Sequence, residues 1–292
     1  MKHLYIDDNF VICCMENKEL FDEVMNLKES QIQCIYSPAH METIYRQLKK
    51  SPNYAKTSNQ LLDAISKITN NKEALPNQST KSAIVITVEN PTKCFKRVSD
   101  MDTTDKVAVD AEEKDEIDRL FYKDKMKNKK YTNISNKSAE DIWKWKEVKE
   151  LVEHLNQNID KIIQNNNSDF SNTILYLAGI NKFLPEDFIF SNSRYEILKK
   201  EHTQLEFTIE ILFRVLNYCG YNSEEKGNEV SSIHDVSHAI YGTCADYIIT
   251  SDLRFSKKCK AVYSFIGAPT KVIFSKQCDF LDVIIKLKQG QY

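Results

Sequence analysis

The stretch SIHDVSHAIYGTCADYIITSDLRF, residues 232–255, decides the fold. It reads as an amphipathic helix over 232–244, with Ile233, Val236, Ala239, Ile240 and Thr243 on one face, then a short apolar strand at 247–250. Asp235 stands near the helix start, and Asp252 closely follows the strand. Helices and strands alternating in this way build parallel sheets, and ligands bind outside the carboxyl ends of such strands. Two carboxylates at that edge do little for stability and are well placed to hold a divalent cation.

Working outward, the same alternation occurs at both ends of the chain. Residues 3–13 read as a buried strand ending near Asp7, and 16–28 have helical spacing through Leu20, Val24 and Leu27. A second short strand is expected at 32–36 and a third apolar run at 83–88. Ser37-Pro38 suits a helix start, because proline is tolerated in the first turn, and the helix would run to about Lys50 with Glu42 one turn in. Beyond the opening stretch, helices are expected at 254–266 and 280–287, with a last strand at 271–274.

The middle differs. Residues 100–118 are dense in acids and 123–130 in lysine, a pattern that marks a solvated, mobile segment near 100–137. Ser138 with Asp141 begins a long helix whose seam is Trp145, Val148, Val152, Leu155, Ile159 and Ile162. Leu198, Leu205, Ile209, Leu212 and Leu216 offer a matching seam. The expected architecture is one α/β core, residues 1–90 and 221–292, interrupted by a mostly helical insertion at 91–220.

Composition narrows the function classes. A net charge of −2 gives no bulk attraction for nucleic acid, so a polyanion would meet a local patch, and the lysines of 123–130 are one place to gather phosphates. The eight cysteines lack CxxC spacing, which points to reduced thiols in a cytoplasm. None of the six glycines forms a GxGxxG or GxxxxGK[ST] loop. No stretch is apolar enough to span a membrane, and Asp7 and Asp8 interrupt the run that a secretory signal would need.

Four carboxylates fall at comparable places: Asp7, Glu42, Asp235 and Asp252. If the first strand is central, all four converge at one edge. Oxygen ligands of this kind suit Mg²⁺ or Mn²⁺, and such ions activate water and stabilise a departing oxygen in attack on phosphorus. Each acid also has a purely structural reading. Asp235 would favour the helix dipole by about 0.3–1 kcal/mol, and Asp252 would cap the helix after it. Asp7 inside an apolar strand is costly unless paired or liganded. Asp8 would point to the opposite face and be structural or solvated, and Asp246 reads as a loop residue. Asn9 and Thr250 are expected to orient the acids. Arg254 would meet a phosphate or a surface acid, and His202 would pack on its helix seam. His234 and His238 have the i, i+4 spacing of a zinc-binding HExxH helix, with the shorter Asp235 where that motif carries its glutamate and no clear third ligand. His238 is expected beneath the site or hydrogen-bonded to an acid.

In order and placement these residues resemble the PIN-domain family of metal-dependent nucleases. The matching motifs are Ile6-Asp7-Asp8-Asn9, the helix from Ser37 to Glu42, His234-Asp235, and Thr250-Ser251-Asp252. The resemblance covers residues 1–60 and 230–275 and leaves the middle uncovered. It implies a Rossmann-like parallel sheet flanked by helices, with Asp7, Glu42, Asp235 and Asp252 holding Mg²⁺ or Mn²⁺, and endoribonuclease activity on an RNA substrate. A toxin or antiviral effector role, and a protein partner bound through the insertion, follow only by family analogy. The competing readings are a PIN-like scaffold that cleaves nothing and a zinc hydrolase built on the HDVSH motif.

Overall fold

The computed structural model describes residues 1–77, 82–100, 192–218, 221–222 and 229–292. The main sheet has four parallel strands in the order β2 (Ile32–Ile35), β1 (Lys2–Ile6), β5 (Tyr247–Thr250) and β6 (Lys271–Phe274). β1 pairs on one side with β2, Leu4 opposite Cys34, and on the other with β5, Leu4 opposite Tyr247 and Ile6 opposite Ile249. The two ends of the sequence therefore share one sheet, and the first strand is central, the condition under which the four acids could converge.

Strand alternation divides the core into two layers. Tyr5, Ile35 and Ile248 face α7 (His202–Tyr218), α8 (Glu229–Gly242) and α9 (Leu253–Ile266). Leu4, Ile6, Cys34 and Ile249 face α1 (Asp8–Glu16), α2 (Lys18–Met25), α4 (Ala55–Thr69) and α10 (Phe280–Lys288). Phe10 of α1 meets Phe280 of α10 edge-on, ring centroids 5.0 Å apart, and each buried side chain of this size contributes about 1.5–3 kcal/mol. Gly242 lets α8 close on the sheet: a Cβ there would lie 2.6 Å from the Tyr263 hydroxyl and 2.9 Å from Ile248.

Several expectations change in detail. The run 3–13 is not one strand: β1 stops at Ile6, and 8–16 is helical because the extended Asp7 caps α1. The strand at 83–88 exists as β4 (Ile84–Val88), but it pairs antiparallel with an unforeseen β3 (Lys72–Pro76), and this hairpin joins the main sheet through a bridge between Tyr36 and Glu73. α3 (Pro38–Lys50) begins as expected, while α4 and α5 (Pro91–Asp100) lacked an expectation. Leu205, Ile209, Leu212 and Leu216 pack into the sheet's core, and Cys94 and Val98 of α5 into the opposite layer. The described parts of 91–220, including the short α6 (Asn192–Leu198), are thus built against the α/β core. The helix expected from Ser138, its seam and the charged segment near 100–137 lie outside the described residues. Described cysteines are free thiols, five of them buried: Cys13, Cys14, Cys34, Cys94 and Cys259. Among the described residues no helix is long and apolar enough to cross a membrane.

Candidate active site

β1 and β5 are neighbours, and the chain leaves them to opposite sides of the sheet, so their carboxyl ends form a switch point where ligands bind in α/β folds. Asp7 follows β1 and caps α1, one carboxyl oxygen accepting from the Phe10 N–H at 2.8 Å. Asp252 follows β5 and caps α9 in the same manner, accepting from the Phe255 N–H at 2.9 Å. The capping reading of Asp252 is therefore correct, and it leaves each acid a second oxygen. Thr250 ties the two strand ends together. Its hydroxyl accepts from the Asp252 N–H at 2.9 Å and hydrogen-bonds the Asp7 carboxylate.

α3 and α8 supply the rest. Asp235 is in the second turn of α8, since that helix begins at Glu229, so it is too far in to act on the helix dipole. Its partner is Lys258 of α9, whose side chain is fully buried and whose Nζ lies 3.3 Å from Asp235 Oδ2. Glu42 of α3 stands across from α8, its Oε2 3.9 Å from His234 Nδ1. The Arg46 guanidinium, one turn further along α3, feels the charges of Asp8 and Asp235.

His238 is the centre of the cluster. Its Nδ1 is 2.8 Å from the Tyr5 hydroxyl, which also contacts Ser37 Oγ at 2.7 Å, and its Nε2 lies 3.5 Å from Asp8 Oδ2. Burial opposes its charged form, but Asp8, Asp7 and Asp235 outweigh burial and raise its pKa. Behind it, His40 accepts from the Ser37 N–H at 3.2 Å and donates from Nε2 to the Ile6 carbonyl at 2.7 Å, fixing the end of β1 beside Asp7. Burial pushes Asp7 up to about 6, against the hydrogen bonds from Thr250 and Phe10. Burial likewise pushes Glu42 up to about 7. Asp8 is lowered, because its bond to His238 and the neighbouring imidazoles overcome burial.

Asp8 was expected to face away, and this is a correction. Strand alternation does not apply to it, because it is the first residue of a helix rather than the continuation of β1. Asn9, expected to orient an acid, is exposed and makes no described hydrogen bond to any of them. Arg254 is half-buried on the first turn of α9. Asp246 accepts from the His3 N–H at 2.7 Å, at the opposite end of the sheet, which fits the loop reading. His202 stacks on Tyr241 with ring centroids 6.2 Å apart, a packing role. Sequence reasoning missed Lys258, Tyr5 and His40. Only Lys258 carried a signal, as a lysine on the buried face of an amphipathic helix.

The acids ring His238 without closing on one point. Among the described residues, the group of metal-ligating atoms lying within 4.8 Å of one another is Glu73, Glu89 and Cys94, not any three of the four acids named above. The donor set still fits a hard dication. It consists of carboxylate oxygens, two of which burial holds toward the neutral form, and Mg²⁺ keeps several waters while using one or two carboxylates directly. No family model, no curated protein and no solved structure matches this chain.

Proposed function

We propose that this chain is a PIN-like, metal-dependent nuclease that hydrolyses RNA phosphodiesters, with Asp7, Glu42, Asp235 and Asp252 as the residues that hold Mg²⁺ or Mn²⁺. The observation that carries the reading is Asp7: a buried carboxylate at the carboxyl end of the central strand, raised to about 6 and facing the ends of β1 and β5. Such a group destabilises the fold unless a cation or proton joins it. When bound, a divalent ion supplies a more acidic water and neutralises charge on the phosphate. The chain's own residues do the positioning. The helix caps fix the Asp7 and Asp252 carboxylates, and Thr250 holds their spacing. His238, between Asp8 and Tyr5, is placed to hold a proton near the acids. The expected products are a 5′-phosphate and a 3′-hydroxyl.

Two other readings are separable. A zinc hydrolase would need both histidines of HDVSH, yet His238 faces Tyr5 and Asp8 with its two nitrogens. A scaffold that binds without cleaving draws support from the Lys258–Asp235 pair, which already satisfies one of the four acids. The cytoplasmic setting, the toxin or antiviral role and a partner for residues 91–220 rest on resemblance alone. The test incubates wild type, Asp7→Asn and Asp235→Asn with total RNA in Mn²⁺ and in EDTA. Cleavage by wild type only, and only with metal, is expected. Equal cleavage by the three proteins overturns the assignment, and metal-independent binding without cleavage marks the scaffold.

A further inference from the structure

His234 is the unexplained group of the site. It is 8 % exposed, and neither ring nitrogen has a hydrogen-bond partner. Leaving a buried polar atom unpaired costs about 1–3 kcal/mol, so an imidazole with both nitrogens unsatisfied is a poor packing residue. The nearest acid oxygen is Glu42 Oε2, 3.9 Å from His234 Nδ1. That is too long for a hydrogen bond. Two donors bound to one ion at roughly 2.0–2.2 Å each lie about 3–4.3 Å apart, a range that includes this separation.

We propose that His234 is a nitrogen ligand of the divalent ion held by Glu42, and that the site therefore selects a first-row transition-metal dication over Mg²⁺. The inference rests on the reading of Glu42 as a metal ligand. Magnesium takes oxygen ligands and gains little from imidazole, whereas first-row transition ions accept it. The pairing runs between α3 and α8, across helices, and not between the two histidines of the HDVSH motif. The remaining positions on the ion are left to water, since among the described residues no third ligand atom lies within 4.8 Å of both His234 and Glu42.

Pulsed electron paramagnetic resonance on the full-length chain loaded with Mn²⁺ tests this directly. A ¹⁴N coupling is expected in wild type and is lost in His234→Leu. The variant's Mn²⁺ affinity falls by about tenfold or more, while its Mg²⁺ affinity changes by less than about threefold. Its melting temperature in EDTA does not drop, because leucine removes two unpaired nitrogens from a buried position; a packing role for the imidazole would lower it. Bound Mn²⁺ without nitrogen coupling, or coupling that persists in His234→Leu, overturns this inference and leaves the nuclease reading standing. Absence of any Mn²⁺ binding overturns both. If the variant does not fold, competition on wild type decides: Mn²⁺ is expected to displace Mg²⁺ at about one tenth of its concentration, and equal affinities overturn the proposal.

Discussion

At the hairpin, Glu73 and Glu89 face each other beside Cys94, and the Arg97 guanidinium donates to both, at 2.8 and 2.7 Å. At the sheet edge, Asp7, Asp8, Glu42 and Asp235 gather round His238, with Lys258 and Arg46 as their cations. The hairpin group is the more compact of the two. Burial, chiefly, raises Glu73 to about 7, so one proton and one guanidinium settle the charge there from within the fold. At the sheet edge two carboxyl groups, Asp7 and Glu42, are likewise driven toward neutrality, with Lys258 and Arg46 beside the other acids. Charge therefore does not separate the two clusters; their place in the fold does. The first cluster is a strut between β3, β4 and α5; the second lies at the carboxyl ends of neighbouring strands, the place where this class of sheet binds ligands.

The largest expected contrast comes from neutralising one acid in each cluster. Asp7→Asn should lower metal-dependent RNA cleavage on the order of 100-fold or more, while Glu73→Gln should leave it within about threefold. In EDTA the same Asp7→Asn should stabilise the protein at pH 8, by about 1–3 kcal/mol on the scale of 1.36 kcal/mol per pKa unit. Asparagine keeps the cap on α1 and removes the buried charge. The sign follows from a folded value of about 6 against an ordinary 3.8. A raised carboxyl favours the fold fully below pH 3.8, and this contribution is lost as pH rises through about 6. The difference between wild type and variant in urea unfolding should therefore open between pH 4 and 7 and close again when Mn²⁺ is added. A difference that stays flat with pH would show that the Asp7 charge is already met within the fold.

Next in size is Lys258→Met, which removes the sheet edge's own buried cation. Breaking a buried pair costs about 3–5 kcal/mol, and the 20 % exposure of Asp235 lowers this to about 2–3. Denaturation in EDTA should show that loss, and Mn²⁺ should bind the variant more tightly because a competing positive charge is gone. Weaker metal binding would instead make Lys258 part of the scaffold reading. Arg97→Met should cost less, about 1–3 kcal/mol, since its side chain is 35 % exposed and the freed carboxylates can meet water. Its cleavage rate should match wild type, as measured on the same RNA.

How much of this was legible beforehand follows from the kind of signal each residue gave. β5, β6 and α3 were readable because apolar runs and a Ser-Pro start are local. The placement of Asp7 and Asp252 at neighbouring strand ends followed from strand alternation with helices, which is also local. Asp8 was misjudged because one extended residue separates strand from helix, and a period of two was carried one residue too far. Tyr5 could not be recognised as a site residue, since it meets His238 across a long stretch of sequence. The helical period of 253–266 hints that Lys258 is buried, but its partner Asp235 lies on another helix and is set by folding alone. The hairpin strut was invisible for the same reason: Arg97 reaches back to Glu73 and Glu89 through folding alone.

The smallest effect is expected at Asn9, and it tests where the sheet edge ends. Asn9 was expected to orient the acids, but as the second residue of α1 it is exposed. Asn9→Ala should change stability by less than about 0.5 kcal/mol, as surface substitutions do, and leave cleavage within about threefold. A tenfold loss of cleavage at unchanged stability would mean that the first turn of α1 turns inward when substrate binds. The sheet-edge cluster would then extend past Asp8, and its contrast with the hairpin would be one of mobility as well as place.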